Sequence, residues 1–390
     1  MKFGWISLAC AAFLAFASFA ETAVAAEKGT TVDDRGNAGE TDVLDAQLLS
    51  IRGTSDKIFY APGETMIFSI VVDKGNQKAE SSGLRLQWVR TGDDGIKREG
   101  RERVSFGVPA TIATKLDRAG FVRIEAWLTD DQGCKIQRKN APHGHMEDIR
   151  FDGGAGVRPE ELRAAAKEPE DFDEFWASQK KRLQGVPVKA EMKKLGTTEN
   201  VDVFAVSVAC AGPRPVTGYL TIPLNAKEKC LPAEVFYQGY GTYVQGEISD
   251  GPRHCIQLHM NAHGYEIGRE KEYYESFFAA IQPNGVMYAF DNAQNSKPEA
   301  AYFNGMALRV MRSLQFLKSL PQWNGSDLRV YGGSQGGLQS VWAAALDPDV
   351  SLAHTDITWC CDLAGVEQGR LRGWRPDYAP ALNYYDPVFH

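Results

Sequence analysis

The sequence predicts an α/β protein, a mainly parallel sheet with helices on both faces, preceded by an all-β immunoglobulin-like sandwich. Three observations carry this. From about Val201 onward, apolar strand-like runs alternate with helical patterns, as crossover-connected parallel strands require. Over residues 48–138 the chain instead holds short strands divided by turn clusters, the pattern of a sandwich. Between Asp327 and Leu346 an apolar strand, a glycine turn and an amphipathic helix follow one another directly.

The bulk properties narrow the function classes. With 390 residues the chain suggests two to three domains and ample length for a large core. Lys+Arg number 43 against 50 Asp+Glu, with no long basic run, so no nucleic-acid partner is expected. Residues 1–26 read as a secretory signal peptide. Met1-Lys2 gives the positive start, residues 3–20 the apolar run, and Ala23-Val24-Ala25 the cleavage pattern. Ser7 stands where a lipoprotein signal ahead of Cys10 would want a leucine-like residue. No other run is long and apolar enough to span a bilayer. The mature protein is therefore expected to be exported and soluble. Cys134, Cys210, Cys230, Cys255, Cys360 and Cys361 remain, with no zinc spacing. Pairing is open to them in an oxidising compartment, while Cys360 and Cys361, inside an apolar run, read as buried free thiols.

In chain order, residues 27–45 are a polar, flexible lead-in. Residues 46–138 form the β domain, with strands over 65–72, 84–89 and 121–128 and turns at 61–64, 92–95 and 130–133. Packing is its default role. Residues 139–168 read as a linker. His143, His145, Glu147 and Asp148 within it have metal-ligating chemistry, but solvated side chains are the preferred reading, and no metal or cofactor is expected. A helix follows, running to Leu183, with Asp171 or Asp173 as cap. Residues 201–209 and 216–222 read as antiparallel strands, then 233–238 as a strand opening into Gly239-Tyr240-Gly241. Residues 255–260 are a further strand, 285–291 an excursion and 307–320 an amphipathic helix. His259 and His263 stand four apart without a third ligand and read as structural.

Gly332-Gly333-Ser334-Gln335-Gly336 fits the G-x-S-x-G nucleophile elbow in the strand-turn-helix context that the pattern needs. A serine raised on such a turn leaves no room for Cβ atoms two residues to either side. Its hydroxyl points out of the sheet, and the helix N-terminus favours developing negative charge. Ser334 is the candidate nucleophile.

Those residues, with the Asp171-to-Trp176 segment and Gln238-Gly239-Tyr240, resemble the acetyl xylan esterase / cephalosporin C deacetylase family of α/β-hydrolases. The resemblance covers residues 169–390. It implies an oxyanion hole formed by the backbone N–H groups of Gln335 and Tyr240. Two departures stand out. The family's Arg-Gly-Gln stretch is absent from 261–270, which points to a divergent subgroup with another substrate. The family order is also Ser, then acid, then His, and only one further strand, over 355–363, is expected after the elbow helix. The hydrolase domain is thus expected to lack its last strands, with the acid and histidine of the triad missing from this chain. His354 is placed at the wrong edge of the sheet, Asp362 lacks a histidine to orient, and His390 is a terminal residue expected to fray. None of the three is taken as a triad member.

The resemblance implies a secreted serine esterase that removes O-acetyl groups from a carbohydrate such as acetyl xylan through an acetyl-enzyme on Ser334. Without its base, such a chain is expected to turn over little. The alternatives are a non-catalytic carbohydrate-binding or surface protein with a dead hydrolase domain, and a peptidase or other carboxylesterase of the same fold.

Overall fold

The computed structural model describes residues 44–78, 80–140 and 144–390. The expected signal peptide, all but the last two residues of the lead-in, and His143 lie outside the described residues.

The N-terminal part is built from β1 (Ser50–Ser55), β2 (Phe59–Tyr60), β3 (Met66–Asp73), β4 (Arg85–Gly92), β5 (Arg98–Arg103), β6 (Ala110–Thr114), β7 (Gly120–Thr129), β8 (Gln137–Lys139), β9 (Met146–Asp148) and β10 (Arg150–Val157). One sheet has the order β1-β3-β6, a second β2-β10-β7-β4-β5, and β8 pairs with β9. Strict alternation builds the core between the two larger sheets. Met66, Phe68, Ile70 and Val72 of β3 point inward, as do Val122, Ile124, Ala126 and Leu128 of β7.

This sandwich runs beyond the expected boundary at residue 138. β10, expected as linker, lies antiparallel to β7 from Arg150 opposite Trp127 to Val157 opposite Gly120. Its glycines, which suggested a linker, mark a close approach instead. A Cβ on Gly154 would stand 2.4 Å from the Val122 carbonyl oxygen.

The second part holds α1 (Phe172–Gln184), β11 (Ala190–Thr197), β12 (Val201–Val208), β13 (Val216–Pro223), β14 (Leu231–Tyr237), β15 (Ile256–Met260), α2 (Lys271–Ala280), α3 (Tyr302–Ser319), β16 (Trp323–Gly333), α4 (Gln335–Leu346) and β17 (Val350–Asp356). Its sheet has the order β11-β12-β13-β15-β14-β16-β17. β11, β12, β13 and β15 pair antiparallel in succession, and β15, β14, β16 and β17 run parallel. Leu220, Val235, Leu258, Leu328 and Val330 on one face share a core with Phe303, Leu314 and Leu317 of α3 and with Leu338 and Trp342 of α4. α3 begins five residues before the expected start, because its first turn carries the buried Asn304 and Gly305, which break the apolar spacing.

β17 is a second correction. Of the expected strand 355–363 only Thr355 and Asp356 are strand, at the end of β17, and the chain then turns: Ile357, Cys360 and Asp362 have φ of 38°, 62° and 53°, left-handed values foreign to a regular strand. The apolar residues of that run pack as a turn rather than as a ladder.

The two parts are joined by polar contacts to the segment that follows this turn. The Asp93 carboxylate at the end of β4 accepts from Phe121 N–H at 2.8 Å in its own sheet and from Leu371 N–H at 2.7 Å across the joint. Arg118 donates to the Gln368 carbonyl at 2.6 Å.

Candidate active site

Ser334 sits between β16 and α4 with φ 55° and ψ −118°, a conformation that costs an L-residue energy and persists only where its surroundings enforce it. They do so through its own backbone. Ser334 N–H donates to Asp356 O at 2.9 Å, and Ser334 O accepts from Trp359 N–H at 3.0 Å. The flanking glycines are required by space. A Cβ on Gly332 would lie 2.3 Å from the Gly336 carbonyl, and one on Gly336 2.4 Å from the Tyr237 carbonyl oxygen. The elbow predicted from sequence is therefore formed, with Ser334 partly exposed.

Gln335 opens α4 and is wholly buried. Its side chain reaches the turn after β14: Nε2 donates to Gln238 O and Gly239 O at 3.4 and 3.3 Å. Gln339, one helical turn on, donates to Gln238 O at 3.0 Å. The nucleophile turn and the Gly239–Gly241 turn are thus fastened by two glutamines on one helix face. The peptide N–H groups of Tyr240 and Gln335 form no hydrogen bond among the described residues.

Two residues that the sequence reading did not assign to the site complete this frame. The Tyr288 hydroxyl accepts from Gly241 N–H at 2.9 Å and donates to Gln335 Oε1 at 3.0 Å. His263 Nε2 lies 2.9 Å from Gly241 O and its Nδ1 2.8 Å from the Tyr302 hydroxyl. A carbonyl only accepts, so Nε2 carries the proton and Nδ1 accepts from Tyr302. Burial pushes the His263 pKa down to about 3, with Arg309 and Arg214 adding to the shift against the Gly241 hydrogen bond. The imidazole is therefore neutral and fixed in one tautomer. His263 is structural, as expected, but its target is the backbone of the Tyr240 turn.

Tyr240 places its ring in an aromatic group. It stacks on Tyr288 at 4.1 Å between centroids, and meets Trp359 and Trp374 edge-on at 5.0 and 4.4 Å. Burial raises the Tyr240 phenol well above its ordinary pKa, and the hydroxyl donates to Tyr288 O at 3.0 Å.

The remaining candidates fall elsewhere. His354 lies in β17 opposite Tyr331, toward the C-terminal end of its strand and not the N-terminal edge expected from a strand beginning at 355. Its ring lies against Tyr331 and its Nε2 is 3.4 Å from Asp356 Oδ2. Asp362 holds backbone and Arg370: its Oδ1 accepts from Ala165 N–H at 2.8 Å. His390 is packed, contrary to expectation, with its ring 5.2 Å from Phe172 and 5.3 Å from Trp176. No side chain is hydrogen-bonded to the Ser334 hydroxyl among the described residues. Glu147 is engaged by Arg138 and Asn140, and Asp148 by Lys135 and Gln137. No group of three or more His, Cys, Asp or Glu is arranged to hold a metal among the described residues. The six cysteines are free. Cys360 is buried, but Cys361 is exposed, against the expectation of a buried pair.

The acetyl xylan esterase (AXE1) family model matches residues 159–373, more than half of the chain. Acetyl esterase Axe7A of Xylanibacter ruminicola is 28% identical over 251 residues, covering 60% of this chain and 56% of that protein. The chain thus spans about half the length of this relative. Among solved structures, an acetyl xylan esterase from Paenibacillus sp. R4 is 23% identical with TM-score 0.46, over 57% of this chain and 75% of that one. Acetyl Xylan Esterase 1 from Thermoanaerobacterium sp. JW/SL YS485 is 17% identical with TM-score 0.46, over 56% and 74%. With the family match running from Pro159 to Gly373, across the Tyr240 turn and the elbow, the chain belongs to the acetyl xylan esterase family.

Proposed function

We propose that this protein is an exported serine esterase that removes O-acetyl groups from a carbohydrate. The observation that carries the proposal is Ser334 itself, partly exposed at φ 55° on a strand-to-helix turn, with its neighbour Gln335 fastened to the turn that bears Tyr240. In this reading Ser334 Oγ attacks the acetyl carbonyl, and the oxyanion is held by the Gln335 and Tyr240 amides. The sugar alcohol leaves, and water then hydrolyses the acetyl-enzyme. None of the described histidines is hydrogen-bonded to Ser334, so the reading assigns neither the base nor its orienting acid to a residue of this chain. No step calls for a metal or cofactor.

Export is part of the proposal and rests on the apolar run over residues 3–20 and on Ala23-Val24-Ala25. The family supports acetylated carbohydrate as the substrate. The test is release of acetate from acetylated xylo-oligosaccharides by the full-length protein and by Ser334→Ala. Release that vanishes with Ser334 upholds the proposal. Equal rates for both proteins refute it, and glycan binding without any turnover would favour a non-catalytic binding protein.

A further inference from the structure

Trp374 is half exposed, at 51%, yet it is held in place. Its ring stacks on Trp359 at 5.4 Å and 24°, tilts against Phe290 at 5.2 Å and takes the edge of Tyr240 at 4.4 Å. The Trp359 indole N–H fastens the segment by donating to Trp374 O at 2.7 Å. Trp359 N–H is in turn bonded to Ser334 O. The exposed indole is therefore connected, through one ordered residue, to the backbone of the nucleophile. Across the joint, Leu371 N–H is held by Asp93 and the Leu371 carbonyl accepts from Arg375 at 3.0 Å. The segment is pinned on both sides of Trp374.

Arg372 and Asp377 bracket Trp374 in the chain, and Asn292 follows its ring neighbour Phe290 by two residues. Asp377 accepts from Arg372 at 2.5 Å through one oxygen and from Asn292 at 3.1 Å through the other. A rigidly held, half-exposed tryptophan combines an apolar face with a polar N–H, the make-up enriched at binding surfaces. Indole faces are electron-rich and attract the polarised C–H groups of a sugar ring, while planar amide, carboxylate and guanidinium groups beside them match its hydroxyls. We propose that Trp374 and the Asn292-Asp377-Arg372 rim form a subsite that stacks a pyranose ring of the polysaccharide substrate beside Ser334. This rests on the esterase reading above for the identity of the ligand, and goes beyond it in assigning the residues that select a sugar over a simple acetyl ester. The substrate class that fits is a β-linked chain of pyranoses with flat C–H faces, such as a xylan backbone.

The test uses the full-length protein carrying Ser334→Ala, titrated with unacetylated xylotetraose and read by tryptophan fluorescence and calorimetry. Saturable binding is expected. Trp374→Ala in that background is expected to weaken it about 10-fold, and Trp374→Phe, which keeps an aromatic face, to retain part of the affinity. Thermal unfolding of each variant shows whether the fold is kept, and Trp374→Phe serves if the alanine variant does not fold. Unchanged affinity in either folded variant, or no binding by the parent, overturns the subsite. The two proposals fail separately. Ser334-dependent hydrolysis of 4-nitrophenyl acetate without xylotetraose binding overturns the subsite and leaves the esterase. Binding that depends on Trp374, without Ser334-dependent hydrolysis, upholds the subsite and overturns the esterase.

Discussion

Tyr288 and Gln335 are joined by a 3.0 Å hydrogen bond from the phenol to the amide carbonyl, and the same phenol oxygen accepts from Gly241 N–H at 2.9 Å. One hydroxyl thereby spans the two turns whose amides are assigned to the oxyanion. Tyr288→Phe deletes the bridge and leaves the buried Gln335 amide oxygen without its donor, which costs about 1–3 kcal/mol. Loosened donors act on the transition state more than on the bound ester, so kcat is expected to fall roughly 10-fold with a smaller change in KM. Steady-state kinetics beside thermal unfolding check this, and an unchanged kcat would contradict it.

The glycines of the elbow are not equivalent. A Cβ on Gly336 meets the Tyr237 carbonyl at 2.4 Å, whereas one on Gly333 meets nothing nearer than 3.9 Å. Gly336→Ala is expected to lower stability by about 2 kcal/mol or more, since backbone on both sides must shift. Gly333→Ala is expected to stay within about 0.5 kcal/mol of the parent. Urea unfolding of the pair decides the matter. Similar midpoints for the two variants would contradict the account.

Asp93 gives one carboxylate oxygen to each part of the molecule, to Phe121 N–H and to Leu371 N–H. Asp93→Ala strands both donors and is expected to cost about 1–3 kcal/mol. It is also expected to raise protease sensitivity around residues 363–371 before global unfolding. Limited proteolysis followed by mass spectrometry reads the cleavage sites. A digestion pattern identical to that of the parent would argue against the clamp.

Acid should destabilise the fold through buried imidazoles. His263 is held at about 3 and His390 at about 4, both chiefly by burial, against an ordinary value of 6.5. Below pH 6.5 the unfolded chain takes up protons that the folded chain refuses. Stability contributed by the neutral rings is therefore present above that pH and is lost as pH falls, down to about 3 for His263. Each group contributes at most about 1.4 kcal/mol per pH unit within its window. Urea unfolding at pH 7 and pH 5 should show the loss, and His263→Gln should make the dependence shallower. A flat profile in the parent between these pH values contradicts the assignment.

Much of the frame was legible because it rests on local rules. The elbow needed only the glycine spacing around Ser334 between a strand and a helix, and β3 and β7 announced themselves by alternation. Where glycine served packing, the reading failed: Gly153 and Gly154 looked like linker and lie inside β10. The run from Ile357 to Leu363 has strand composition, but left-handed residues turn it into the loop that carries Trp359. Tyr288 and His263 could not be placed in the site from sequence, because their partners, Gly241 and Gln335, are 22 to 47 residues away. Only the closing of the sheet brings them together.

The central claim is that Ser334 carries the acetyl group. The most direct measurement is mass spectrometry of the full-length protein, acid-quenched within seconds of mixing with an activated acetyl ester, alongside Ser334→Ala. The account predicts a single acetyl on the peptide containing Ser334, absent from the variant. Equal labelling of the variant, or turnover that survives the loss of Ser334, would contradict it.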